Sequence, residues 1–290
     1  MSLLAELADF PQQLCDLGGG AVVSYRAANP AAKGVPVVLL HGIGSNSGSW
    51  LAQLQDGLRG RRLLAWNAPG YEASTAFEAD APTAQAYAQC LWAWLDALNI
   101  TKAHLIGHSL GCIIVARAAV VAPHRVASLS LLSPAHGYGT ADADTRTSKR
   151  NARLKLINTL GAAGMAQARG AALLSSSATN ELKDYAIAMM ARVNVRGYTQ
   201  ATELLANANI ASDLTTWCAL SAHLAHASFS NTAIACGELD TITPAAQCAA
   251  LASNHGIAFT SVANAGHLVA LEASAAVNSW LIKHIKVHEY

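Results

Sequence analysis

The sequence predicts an α/β protein: a mostly parallel central sheet covered by helices, with a helical cap inserted late in the chain. Three observations predict it. Short apolar runs alternate with helical stretches along most of the 290 residues. One such run breaks at a serine held between two glycines, in "LIGHSLGCIIVA" (105–116). A stretch of about ninety residues then carries helical patterns and no buried strand, although a parallel crossover needs only about a dozen.

The elements follow in order. "VPVVLLHG" (35–42) is a continuous apolar run ending in glycine, as expected of a parallel strand buried on both faces. "RRLLAWNAPG" (61–70) repeats the form. "TAQAYAQCLWAWLDALNI" (83–100) reads as a helix entered through Pro82 and Thr83. "KAHLIGHS" (102–109) is the next strand, and "SLGCIIVARAAVVA" (109–122) a helix apolar on nearly every side. "RVASLSLLSP" (125–134), "NTAIACGELD" (231–240) and "GIAFTSVANAGH" (256–267) complete the strands, with helices over 244–254 and 268–286. Between His136 and Phe229 four short helices are expected, the first "TSKRNARLKLINTL" and the last "GYTQATELLANANIASDL". The expected division is a core of 1–136 and 226–290 and a cap of 137–225.

Composition narrows the function. The chain is 52% hydrophobic and 13% charged, with a net charge of +1 and no basic run. Neither nucleic acid nor an anionic membrane is an expected partner. No apolar run reaches the roughly 20 residues that span a bilayer. "MSLLAELADFPQQL" lacks a basic start and a long apolar stretch, so no secretory signal is expected. The six cysteines show no CxxC spacing and read as reduced thiols of a cytoplasmic protein. No metal or cofactor is expected.

G-x-S-x-G at a strand-to-helix junction has a physical meaning. It is a nucleophile elbow, in which a strained turn lifts the Ser109 hydroxyl to the carboxyl edge of the sheet. Side chains at 107 and 111 would collide with the neighbouring strand and helix. A structural serine in a glycine-bounded turn is the competing reading. A serine nucleophile needs a base oriented by a third group, and the expected order is serine, acid, histidine. "CGELD" places Asp240 past a strand end, and "NAGHL" places His267 after the last strand. Glu238 is the competing acid, and Asp240 could instead cap the helix at Pro244; Asp240 is preferred because the loop can turn there toward the histidine. An oxyanion hole would use the amides of Leu110 and of Ile43, in "LLHGIGSNSGSW". That loop has no GK[ST] and opens no helix with G-x-G-x-x-G, so a phosphate loop is the weaker reading.

With "HGIG", "NAPGYEAS", "GHSLG", "GELD" and "AGH" in order, the chain resembles the α/β-hydrolase superfamily over nearly its whole length. It looks most like the capped bacterial serine hydrolases: 3-oxoadipate enol-lactonase-like proteins, small carboxylesterases and meta-cleavage C–C hydrolases. The resemblance implies the α/β-hydrolase fold, Ser109 as nucleophile, His267 as base, Asp240 as orienting acid and Ile43 and Leu110 as the hole. Three departures stand out. Asn67 and Glu72 replace an aspartate and a glycine of a common D-x-P-G-x-G-x-S loop. Cys112 follows Gly111 where a glycine is usual. His108 and Leu268 occupy positions where C–C hydrolases often carry asparagine and tryptophan.

Trp50, His136, Tyr138, Met189, Met190 and Trp217 are candidate pocket residues, and Arg146, Arg150 and Arg153 candidate holders of a substrate carboxylate. Side chains such as the first six are more often plain core than pocket wall, and a charge run is usually a solvated face. The expected partner is a small molecule with a carbonyl group, with a homodimer left open. The leading expectation is hydrolysis of a small ester or lactone through an acyl-enzyme. The alternatives are C–C bond hydrolysis of a vinylogous diketone and non-catalytic binding of a small molecule.

Overall fold

The computed structural model describes residues 2–223 and 231–286. A short helix α1 (Leu3–Leu7) leads into a hairpin of β1 (Gln13–Gly18) and β2 (Ala21–Ala28). β3 (Val37–Leu40), α2 (Leu51–Asp56), β4 (Leu63–Trp66), α3 (Ala84–Ala97), β5 (Ala103–His108), α4 (Leu110–Val121) and β6 (Val126–Leu132) follow. Four helices come next: α5 (Ala143–Arg169), α6 (Asn180–Met190), α7 (Val195–Asn207) and α8 (Ile210–His223). The chain closes with β7 (Thr232–Gly237), α9 (Ala245–Asn254), β8 (Ala258–Val262), α10 (Val269–Glu272) and α11 (Ser274–Lys286).

The eight strands form one sheet in the order β1-β2-β4-β3-β5-β6-β7-β8. β1, β2 and β4 pair antiparallel, and all pairs from β4 to β8 are parallel. β3 and β5 are buried along their whole length, as their unbroken apolar runs require. The chain leaves β3 for β4 on one side and returns to β5 on the other. Such a reversal opens a crevice at the carboxyl ends of the strands. The loop after β3 and the turn after β5 meet there.

The hairpin was not among the expected strands. β1 is an edge strand whose only buried residue is Cys15, and Leu14 faces solvent at 64% exposure. Its apolar pattern is therefore too thin to announce a strand. Gly18, Gly19 and Gly20 make its turn, all with positive φ.

Among the described residues between β6 and β7 there are helices and no strand. The expected cap end at 225 and core restart at 226 lie outside the described residues. Inside the interval the helices are divided differently from the expectation. The first two expected helices form one element, α5, which breaks at Gly161 with φ 64° and ψ −179°. The last is split, because Ala208 is extended and ends α7. Gly70 and Gly197 seat α7 on the loop after β4: a Cβ on Gly197 would come 2.2 Å from Gly70 O.

Gly111 is one of the tightest positions of the central fold. A Cβ there would lie 2.3 Å from the Leu40 carbonyl oxygen, where backbone on both sides leaves no room to yield. Gly111→Ala is expected to destabilise the fold by about 1–3 kcal/mol or more. A Tm equal to that of the unsubstituted protein would contradict this packing.

Candidate active site

Ser109 stands between β5 and α4 with φ 52° and ψ −114°, a backbone state that costs a non-glycine residue about 1–3 kcal/mol. Its neighbours hold it there. Its N–H donates to Leu132 O at 3.0 Å, and its carbonyl accepts from Cys112 N at 3.0 Å and Ala135 N at 3.2 Å. A Cβ on Gly107 would meet Cys112 N at 2.6 Å, and one on Gly42 would meet Ser109 Cβ at 2.9 Å. Three glycines thus let strand, turn and the loop after β3 close on one another.

His267 follows β8, with its Nδ1 2.8 Å from Asp240 Oδ2. Asp240 Oδ1 accepts from the N–H groups of Ile242 (2.8 Å) and Thr243 (2.9 Å), and Thr243 Oγ1 donates to Oδ2 at 2.9 Å. Burial alone would raise the Asp240 carboxyl. The hydrogen bond and charge of His267, with the Thr243 N–H and Ser133, hold it well below the usual carboxylate range. Asp240 is therefore ionised and directs the Nδ1–H of His267 toward itself, leaving Nε2 for the cavity. Glu238 is exposed and accepts from Asn264 N at 3.1 Å, away from His267.

Ser109 and His267 line one cavity of about 140 Å³, together with Ile43, His108 and Leu268. The N–H groups of Ile43 and Leu110 donate to no acceptor among the described residues. His136, Tyr138 and Met190 line the same cavity. Trp50, Met189 and Trp217 do not, contrary to expectation. Trp50 is core beside Leu54 and Ile106, behind His108 and Leu268. Met189 turns toward Gly48 and Leu7 on the next face of α6. Trp217 is buried with its Nε1 donating to Thr232 Oγ1 at 2.8 Å.

The three departures have local explanations. Asn67 Oδ1 accepts from Ser47 N at 2.8 Å, as a carboxylate would, and Nδ2 donates to Ser24 Oγ at 2.9 Å. Glu72 occupies a left-handed position (φ 49°) that favours glycine. Its carboxylate is held by Gln12, Asn46 and both arms of Arg192, each arm at 2.6 Å. Cys112 donates its thiol to Gly107 O at 3.1 Å, and burial pushes its pKa far up, so it packs as a neutral group under the turn.

Three contributors were not legible in the sequence. Thr243 braces Asp240. Glu272 accepts from the N–H groups of Gly266 (2.9 Å) and Ser175 (3.0 Å), tying the His267 loop to the helical segment. Arg169 joins Arg153 at the cavity. No local motif marks them: Thr243 sits in an ordinary turn three residues after Asp240, Glu272 reaches the remote Ser175, and Arg169 meets the cavity only through the break in α5.

The family model for the alpha/beta hydrolase fold matches residues 35–274. This chain belongs to the α/β-hydrolase family. Among curated relatives, this α/β hydrolase is 39% identical over 109 residues to the dihydrolipoyllysine-residue acetyltransferase component of the acetoin cleaving system of Pseudomonas putida, a match covering 37% of the chain and 29% of that protein. It is 32% identical over 110 residues to the 2-hydroxy-6-oxo-6-phenylhexa-2,4-dienoate hydrolase of Burkholderia cepacia, covering 37% and 38%. The match thus spans about a third of either relative. Among solved structures it is similar to a malate-bound esterase from Thermogutta terrifontis (TM-score 0.80, 19% identity, 97% and 100% covered). It is also similar to the enol-lactonase of Burkholderia xenovorans LB400 (TM-score 0.77, 16% identity, 95% and 100% covered). No helix among the described residues is long and apolar enough to cross a membrane.

Two buried histidines give this α/β hydrolase an acid limit. Burial pushes His41 down to about 4; its Nδ1–H donates to Gly42 O and its Nε2 accepts from Ala68 N. Burial and the neighbouring His267 push His108 down to about 3, with its Nε2–H donating to His267 O at 2.8 Å. The unfolded chain binds these protons near pH 6.5 and the folded chain only near 4 and 3. Their contribution to stability is complete above about pH 6.5 and is lost as pH falls through that window. The Tm is expected to drop between pH 6.5 and 4, and less steeply in His41→Gln. An identical slope in the variant would count against His41.

Proposed function

We propose that this chain is a serine hydrolase acting on a small carboxylic ester or lactone through an acyl-enzyme, without a cofactor. One observation carries the reading: the strained Ser109 turn and the Asp240–His267 pair open onto the same cavity. Ser109 Oγ attacks the substrate carbonyl while His267 Nε2 takes its proton. Asp240 fixes the imidazole tautomer and stabilises the imidazolium. The free N–H groups of Ile43 and Leu110 take the charge that develops on the carbonyl oxygen. His267 then protonates the leaving alkoxide, and water releases the acid from Ser109 by the same route. The four helices after β6, described to His223, make the cap. Six unpaired thiols fit a cytoplasmic setting.

The likeness to a dienoate hydrolase supports a second reading, C–C bond hydrolysis by the same three residues. The ester reading is preferred because an alkoxide leaves once protonated, whereas a carbanion needs further stabilising groups. His108 is engaged with the His267 carbonyl and Leu268 is apolar, so neither supplies them.

Ser109→Ala is expected to abolish turnover of p-nitrophenyl acetate and butyrate without lowering Tm, and a fluorophosphonate to label Ser109. Activity within tenfold of the unsubstituted enzyme would remove Ser109 from the mechanism. Failure to label would favour a binding protein. Asp240→Asn is expected to lower kcat by about 10⁴-fold, as the equivalent change does in a serine protease. Greater damage from Glu238→Gln would reassign the acid. A kcat/KM for a ring-cleavage dienoate more than tenfold above that of the best ester would favour the C–C reading.

A further inference from the structure

Arg153 and Arg169 both line the cavity that holds Ser109 and His267. In an unbroken helix, residues sixteen positions apart would be separated by about 24 Å along the axis and would face nearly opposite ways. The break at Gly161 redirects α5, and one arginine from each half lines the same cavity. A Cβ at Gly161 would meet nothing within 4 Å, so the glycine is there for its φ of 64° and not for room.

Neither guanidinium has a carboxylate partner among the described residues. Arg150, one turn before Arg153, is different: Glu203 neutralises it, its Oε1 accepting from Arg150 Nε at 2.6 Å. Both free guanidiniums act electrostatically on the hydroxyl of Tyr198, which also lines the cavity. His136 adds a buried Nε2 with no hydrogen-bond partner among the described residues. The remaining wall is largely apolar, including Met165, Leu173 and Leu205. Two positive charges facing one small cavity repel each other until an anion joins them.

We infer that the substrate carries a carboxylate besides its ester or lactone bond, and that Arg153 and Arg169 hold it while Ser109 meets the carbonyl. The inference rests on the ester-hydrolase reading for the reaction and on the broken α5 for the specificity. A guanidinium offers a planar pair of donors that matches a carboxylate. The cavity volume, below the roughly 300–1,000 Å³ that takes drug-sized ligands, suits a short half-ester rather than a long acyl chain.

The test compares charged and neutral esters of equal reactive group. Monoethyl succinate against diethyl succinate places the carboxylate on the acyl side. Acetoxyacetate against its ethyl ester places it on the alcohol side. The ratio of kcat/KM, charged over neutral, is expected to exceed about tenfold for one pair. It should fall at least tenfold in Arg153→Gln/Arg169→Gln, and decline with added salt because Arg169 is exposed. Calorimetric titration with succinate supplies a readout independent of turnover, with affinity weakened at least tenfold in the double variant. If no ester is hydrolysed, the reaction reading falls while the titration still decides the arginine pair. Equal ratios in the unsubstituted and variant enzymes, with succinate affinity unchanged, would overturn the inference. Should the double variant not fold, the lysine pair Arg153→Lys/Arg169→Lys and the salt series on the unsubstituted enzyme decide it: a charged-to-neutral ratio that salt does not move overturns it.

Discussion

The left-handed backbone at Ser109 is the constraint around which the molecule is arranged. An L-residue with φ 52° and ψ −114° is held only if its surroundings over-determine it. Its N–H donates to Leu132 O and its carbonyl accepts from Cys112 N and Ala135 N, so both α4 and the end of β6 with its loop hold it. The turn also demands backbone contact that side chains would block. This explains glycine at 107, 111 and 42 from sterics alone. It also brings the loop that carries Ile43 against Ser109, where a Cβ on Gly42 would meet Ser109 Cβ at 2.9 Å.

The acid and base arrive from the other half of the sheet. β7 and β8 pair in parallel beside β6, which sets the loops of Asp240 and His267 at the same edge as Ser109. A Cβ on Gly237 would come 2.2 Å from Gly266 O, so the two loops pack backbone to backbone. Thr243 and Glu272 complete the support. The Asp240 carboxylate is buried, yet it stays ionised because its oxygens are met by N–H and O–H donors as well as by His267.

The helical segment is seated on this machinery by close backbone approaches and by ion pairs, among them Arg117–Asp213 at 2.5 Å. Gly197 meets Gly70, Gly137 meets Ala208, and Gly266 meets Leu174 and Ser175. Glu72 and Arg192 add charge pairing between the loop after β4 and the segment that follows α6. Leu268 N donates to Leu173 O at 3.0 Å, directly beside His267. The residues that shape the substrate space are thus fastened to the residue proposed as base.

What the sequence by itself determined is the part governed by local rules. Buried parallel strands need unbroken apolar runs, so β3 to β7 stood out; the serine turn needs its flanking glycines, so it did too. β1 was hidden because an edge strand buries only one residue. Asp240 could be ranked above Glu238 by its place beyond the strand, but only the fold turns Glu238 toward Asn264 and solvent. The cavity wall was decided by tertiary structure throughout. Met189 and Met190 are chemically identical neighbours, and a rotation of about 100° along α6 puts one in the core and the other on the cavity. Trp50 and Trp217 had the right chemistry for a pocket and were claimed by the core. Arg153 was visible as a candidate and Arg169 was not, because a helix that breaks at one glycine joins residues that no periodicity relates.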